Sequence, residues 1–90
     1  MATHIVKRAG HTEKFDEKKV YATCFAACMN AHVGKEEAEK ICRKVAAGIK
    51  RWITGKKVVT SEMIFREATL LMKKEHKNAA FMYETHRDIA

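Results

Sequence analysis

The sequence contains no proline, so nothing in it forbids long uninterrupted helices. It has no run of about 18 apolar residues, and therefore no candidate for a membrane-spanning helix. Met1-Ala2-Thr3-His4 does not lead into the apolar core of a secretory signal, so the expected location is the cytoplasm. Cysteine numbers three, an odd count, and Cys24, Cys28 and Cys42 all fall in helix-like sequence rather than at loop staples. That pattern fits reduced thiols, not a disulfide framework. No Walker-type phosphate loop occurs, and no nucleophile stands beside an evident base and orienting group. Catalysis has no motif to rest on, and the expectation is a non-enzyme.

What is present suits a globular domain. With 47% hydrophobic residues the chain can build a core, which separates it from disordered sequences. Ninety residues make one domain, 1–90, that buries about 60% of the surface its unfolded chain exposes. The net charge of +7 is spread over both halves with no basic tail. Such an excess draws anions, whether nucleotides, nucleic acid or acidic proteins, without choosing among them.

The stretch HIVKRAGHTEKFD, residues 4–16, reads as two short β-like runs around a turn at Gly10, where glycine supplies a positive φ. Lys7 and Arg8 stand side by side just before that turn. Taken alone, they fit the solvated face of a hairpin as well as an anion site. Asp16 then stands as an N-cap before a first helix in which Val20, Cys24, Ala27, Cys28 and Ala31 recur at helical spacing, with Gly34 as its stop. A second helix from about Lys35 carries the stripe Ala38, Ile41, Cys42, Val45, Ile49 and Trp52, and closes at Thr54-Gly55. Val58 and Val59 form a short β-run, and Thr60 or Ser61 caps a third helix running to about Lys74. A polar break over residues 75–78 precedes a short fourth helix from Ala79 to about Arg87. The expected order is β-β-α-α-β-α-α, and the expected class α+β: a four-helix bundle capped by a small three-stranded mixed sheet.

Four pieces of this sequence, VKRAG (6–10), EKFDEKKV (13–20), VVTSEMI (58–64) and AAFMYETHRDI (79–89), occur in the order and spacing of a known family. The chain resembles the ATP-cone, the regulatory nucleotide-binding domain of ribonucleotide reductases and of the bacterial repressor of reductase genes. The resemblance spans nearly the whole chain. It implies a helical bundle capped by a small three-stranded sheet, with ATP or dATP bound between cap and helices and Mg2+ able to accompany the nucleotide. It further implies that the nucleotide controls conformation or oligomerisation, either of a homo-oligomer or of a regulated enzyme or repressor partner.

Carried over onto this sequence, the resemblance assigns Lys7 and Arg8 to the phosphates and Gly10 to their close approach. Lys19, in the first turn of helix one, reaches phosphates and ribose, and Arg87 closes over the phosphates. Glu13 and Asp16 line the adenine edge, with Phe15 between them in register. Ile5 and Val20 sandwich the ring, and Thr60 faces sugar or phosphate. Two positions depart from the family pattern. Ala9 replaces the usual Asp or Asn, and Ile64 stands where some reductase cones have a histidine near the ribose, which leaves the choice between ATP and dATP open. The repressor's paired CxxC motifs do not occur in these residues.

Other readings compete. Cys24, Cys28 and His32 share one helix face at four-residue intervals and suggest a zinc site. A structural zinc gathers four ligands from separate elements, however, so the sequence assigns the cysteines to the core and expects no metal. Trp52 and Tyr83 could stack a base, but Trp52 lies on the apolar stripe. The +7 charge also permits a basic nucleic-acid-binding module, although no nucleic-acid motif appears. A cone-fold adaptor that has lost nucleotide binding is the third reading.

Overall fold

The computed structural model describes residues 4–6 and 12–85. In chain order the elements are β1 (His4–Val6), β2 (Thr12–Lys14), α1 (Glu17–Asn30), α2 (Lys35–Ile53), β3 (Val58–Thr60), α3 (Ser61–Glu75) and α4 (Lys77–Thr85). Gly10 and Arg87, expected at the first turn and in the last helix, lie outside the described residues.

Three of the described helices begin at a side-chain cap. Asp16, in extended backbone, caps α1 by accepting from the Lys18 backbone N–H at 3.0 Å. Thr60 caps α3 by accepting from the Met63 N–H at 3.0 Å. The polar break expected over residues 75–78 shrinks to His76 alone. Its backbone swings to φ −164°, and its Nδ1 accepts from the Ala79 N–H at 3.1 Å, so an imidazole caps α4. Side-chain capping by histidine is uncommon, which is why the sequence did not point to it.

The end of α1 departs from expectation in a second way. Gly34 is not its left-handed stop. It has φ −60° and serves as the N-cap of α2. The left-handed residue is His32, at φ 61°. Its N–H donates to the Met29 carbonyl at 3.0 Å, and the Val33 N–H donates to the Cys28 carbonyl at 3.0 Å, the paired bonds of a Schellman turn. Val33 then buries its side chain in the core, which completes the motif. A non-glycine residue in this conformation is strained. His32→Gly is therefore expected to stabilise the domain by about 0.5–1 kcal/mol, because the strain relieved exceeds the extra chain entropy of glycine. Urea unfolding checks this, and an unchanged or lower midpoint would mean that the exposed imidazole contributes contacts of its own.

The helices form the body of the molecule. α1 packs on α2 and α4, and α3 packs on α2 and α4. Their facing stripes form one core in which Cys24, Cys28, Val45, Ile49, Ala68, Met72, Ala79 and Ala80 are fully buried. Gly48 lets Leu71 of α3 approach α2 closely: a Cβ there would sit 2.8 Å from Leu71 Cδ1.

The expected α+β class, a bundle under a three-stranded cap, is corrected by this architecture. Among the described residues the fold is helical, and no sheet layer covers it. The three β segments have three residues each and pair in the order β2-β1-β3, β1–β2 antiparallel and β1–β3 parallel. They pack chiefly on one another, with α3, the direct continuation of β3, as their main helical neighbour. The physical reason is size. Side chains alternate across a strand, so three residues can offer at most two to one face. Among the described side chains of the ribbon, only Ile5 and Val59 reach the core. Such a ribbon cannot roof helices of 14, 19, 15 and 9 residues.

Candidate functional site

The register of the ribbon decides which of the sequence-predicted residues meet. β1 lies in the middle, so Ile5 pairs with Glu13 on one side and with Val59 on the other. Val6 pairs with Thr12 and Thr60. The antiparallel β2 ends beside His4, whereas the parallel β3 ends beside Val6. The starts of α1 and α3 therefore leave from opposite ends of a ribbon about 7 Å long. A helix N-terminus presents unpaired N–H groups and partial positive charge, which suits an anion.

Ile5, Val20, Val59 and Ile64 are all buried members of the core cluster, and Phe15 is half-buried against it. The two residues that the resemblance assigns to a ring sandwich, Ile5 and Val20, thus belong to the same apolar cluster. Asp16, Lys19 and Thr60 are exposed at helix starts. Asp16 and Thr60 each spend one side-chain lone pair on a cap. Glu13 is placed by the β-ladder opposite Ile5. Lys7, Arg8, Gly10 and Arg87, and with them Ala9, lie outside the described residues.

The aromatic candidates for base stacking are occupied within the protein. Tyr83 stacks on Phe65 with ring centroids 5.2 Å apart and planes 12° from parallel, and burial raises its phenol pKa. Trp52 carries the Lys56 ammonium 4.9 Å above its ring, and Lys56 Nζ also donates to the Trp52 carbonyl at 2.9 Å. Among the described residues, ion pairs tie the helices at Lys44–Glu75, 3.3 Å, and Lys50–Glu17, 3.9 Å. Both are solvent-exposed and contribute little to stability.

A second constellation appears between α1 and α2. Cys24, Cys28 and Cys42 are fully buried, and their sulfurs all lie within 4.8 Å of one another. His32, the third member suggested by sequence, is exposed at the helix end, and Cys42 takes its place. The signal was available: α1 and α2 form a hairpin across residues 31–34, and Cys24 and Cys42 are equidistant from Val33. The Cys24 S–H donates to Cys42, which with burial holds its pKa well above the ordinary thiol range. Burial pushes Cys28 up to about 11. Cys42 is lowered because it accepts from Cys24 and, more weakly, from Cys28.

No helix among the described residues is long and apolar enough to cross a membrane. No curated protein sequence matches the chain. The family model for the ATP cone domain matches residues 3–88, which takes in the three strands and four helices described above. A match over nearly the whole length shows that the chain belongs to the ATP-cone family of regulatory nucleotide-binding domains.

Proposed function

We propose that this chain binds ATP or dATP without catalysing a reaction, and that the bound nucleotide controls its conformation or its association. The observation that carries the reading is the family match combined with the β1 register, which puts Ile5 beside both Glu13 and Val59. In this reading Glu13 and Asp16 meet the adenine edge, and Ile5, Val20 and Phe15 supply apolar contact to the ring. Lys7, Arg8, Lys19 and Arg87 meet the phosphates, Gly10 lets the backbone approach, Thr60 meets the sugar or a phosphate, and Mg2+ accompanies the nucleotide.

Physical chemistry favours this division of labour. A triphosphate carries about four negative charges, and charge-assisted hydrogen bonds from several cations are needed to replace its hydration. The net charge of +7 gives the whole molecule the right sign to attract it. Control follows only if the nucleotide binds one state more tightly than another. An association change, within a homo-oligomer or with a regulated enzyme or repressor, provides the second state.

The test is calorimetric titration of the chain with ATP, dATP and GTP, each with and without Mg2+, on the natural sequence and on Lys7→Ala/Arg8→Ala. Adenine nucleotides are expected to bind and GTP to bind far more weakly. The double variant should lose about 10–100-fold in affinity, the worth of one or two charge-assisted contacts. Sizing the protein with and without nucleotide reads the association step. The reading fails if no nucleotide binds and the chain instead binds DNA in a salt-dependent way, which would favour the nucleic-acid module.

A further inference from the structure

The three buried thiols take no part in the nucleotide reading. Cys24 and Cys28 sit one turn apart on one face of α1, and Cys42 reaches them from the facing side of α2. All three have a relative exposure of 0%. Their sulfurs, within 4.8 Å of one another, outline a triangle of soft donors. A three-coordinate ion with metal–sulfur bonds of about 2.3 Å needs sulfurs about 4.0 Å apart. Closing the triangle to that size takes less than an ångström per edge, within reach of small side-chain rotations.

The donor set also selects the ion. Among the described residues the cluster contains three metal-binding side chains and no fourth. Structural zinc and iron–sulfur clusters ask for four protein ligands. A site closed to solvent cannot make up the number with bulk water. Soft thiolate donors in a dry, three-sulfur arrangement suit Cu(I), a thiophilic ion with no need of a fourth ligand. We propose that Cys24, Cys28 and Cys42 bind one Cu(I) ion as a three-sulfur site between α1 and α2.

The chemistry is ligand exchange with no change of oxidation state. Three S–H bonds break, three S–Cu bonds form, and three protons pass to solvent. The site is left with two negative charges, inside a chain whose net charge is +7. Because the thiols are sealed, the ion enters only when α1 and α2 part, so loading is slow in the native protein and faster in mild denaturant.

Anaerobic titration of the reduced chain with Cu(I), in competition with the coloured chelator bicinchoninate, tests the proposal. The expected result is withdrawal of one Cu(I) per chain and a higher thermal midpoint for the loaded protein. Cys24→Ala, Cys28→Ala and Cys42→Ala should each weaken binding at least tenfold. Copper left entirely on the chelator, or affinity unchanged in any folded single variant, overturns the site. Should the variants not fold, X-ray absorption of the loaded natural chain decides: three sulfur neighbours support the proposal. Two sulfurs, or any nitrogen or oxygen neighbour, overturn it.

Discussion

Ile49→Ala is expected to cost about 2–5 kcal/mol of unfolding free energy, the range for emptying a well-packed core position. Ile49 is fully buried and among the largest side chains that are. It lies near the C-terminal end of α2, the longest helix, which packs on both α1 and α3. Neighbours on two sides limit how far the cavity can collapse, and the uncollapsed volume sets the cost. A domain of this size holds only about 5–15 kcal/mol in total. The thermal midpoint should therefore fall by at least about 8 °C, at roughly 4–8 °C per kcal/mol. Far-ultraviolet circular dichroism through a thermal or urea transition measures it. Ile5→Ala, on the ribbon, provides the control. Ile5 sits at the edge of the same core with 8% of its surface exposed, and its strand packs mainly on other strands. Its loss should cost less than half as much. Equal costs would mean that the ribbon is integral to the core, against the helical architecture described above.

Val59→Asp attacks the core through charge. Val59 is 1% exposed, and the cluster around it is apolar. Thr69 is the one buried polar or charged side chain among the described residues. Among the described residues, the core cluster that holds Val59 contains no cation to pair with a carboxylate. An uncompensated buried charge costs about 3–5 kcal/mol, enough to unfold much of a marginal domain at neutral pH. The pH dependence follows from the same cause. Burial raises the folded-state pKa of the new carboxyl above its unfolded value. The folded state then holds its proton more tightly, so the penalty is smallest below the unfolded pKa and grows as pH rises through the folded one. Urea midpoints of Val59→Asp and the natural chain should thus converge as the pH is lowered. Val59→Asn separates charge from polarity, because it should show a smaller deficit with no such convergence. A parallel, pH-independent gap for both variants would show that the side chain escapes to solvent.

The helical part of this fold was legible because helices advertise themselves over many residues. The stripe from Ala38 to Trp52 fixed α2 to within a residue or two, and Asp16 and Thr60 marked the starts of α1 and α3. The class was misread because strand signals are short. Val58-Val59 and Ile5-Val6 announce β-structure but not how much of it, and three residues per strand leave a ribbon where a layer was expected. The caps at His32 and His76 were hidden for a different reason. Histidine is an uncommon N-cap, and although it tolerates the left-handed conformation better than most residues, Gly34, two positions after His32, was the stronger local stop signal. For the candidate site, Glu13, Phe15, Asp16 and Lys19 are near neighbours in the sequence, and their grouping rests on the family resemblance. Pairing Ile5 with Val59 needed the long-range parallel register, and Cys42 joined the other thiols only once the hairpin of α1 and α2 had closed.

That parallel register also shapes the folding pathway. β1 and β3 are joined through the whole α1–α2 hairpin, so Ile5 meets a residue 54 positions later in the chain. Helix contacts between neighbours in sequence form early, whereas closing so long a loop is deferred until the helices have shortened the distance. The ribbon should therefore assemble late and open early. Its backbone amides should exchange with solvent through openings that leave the helices intact, well below the global unfolding energy. A ligand gripping the ribbon would slow that exchange in the strands first, so hydrogen exchange resolved by residue would locate its binding site without any substitution in the protein.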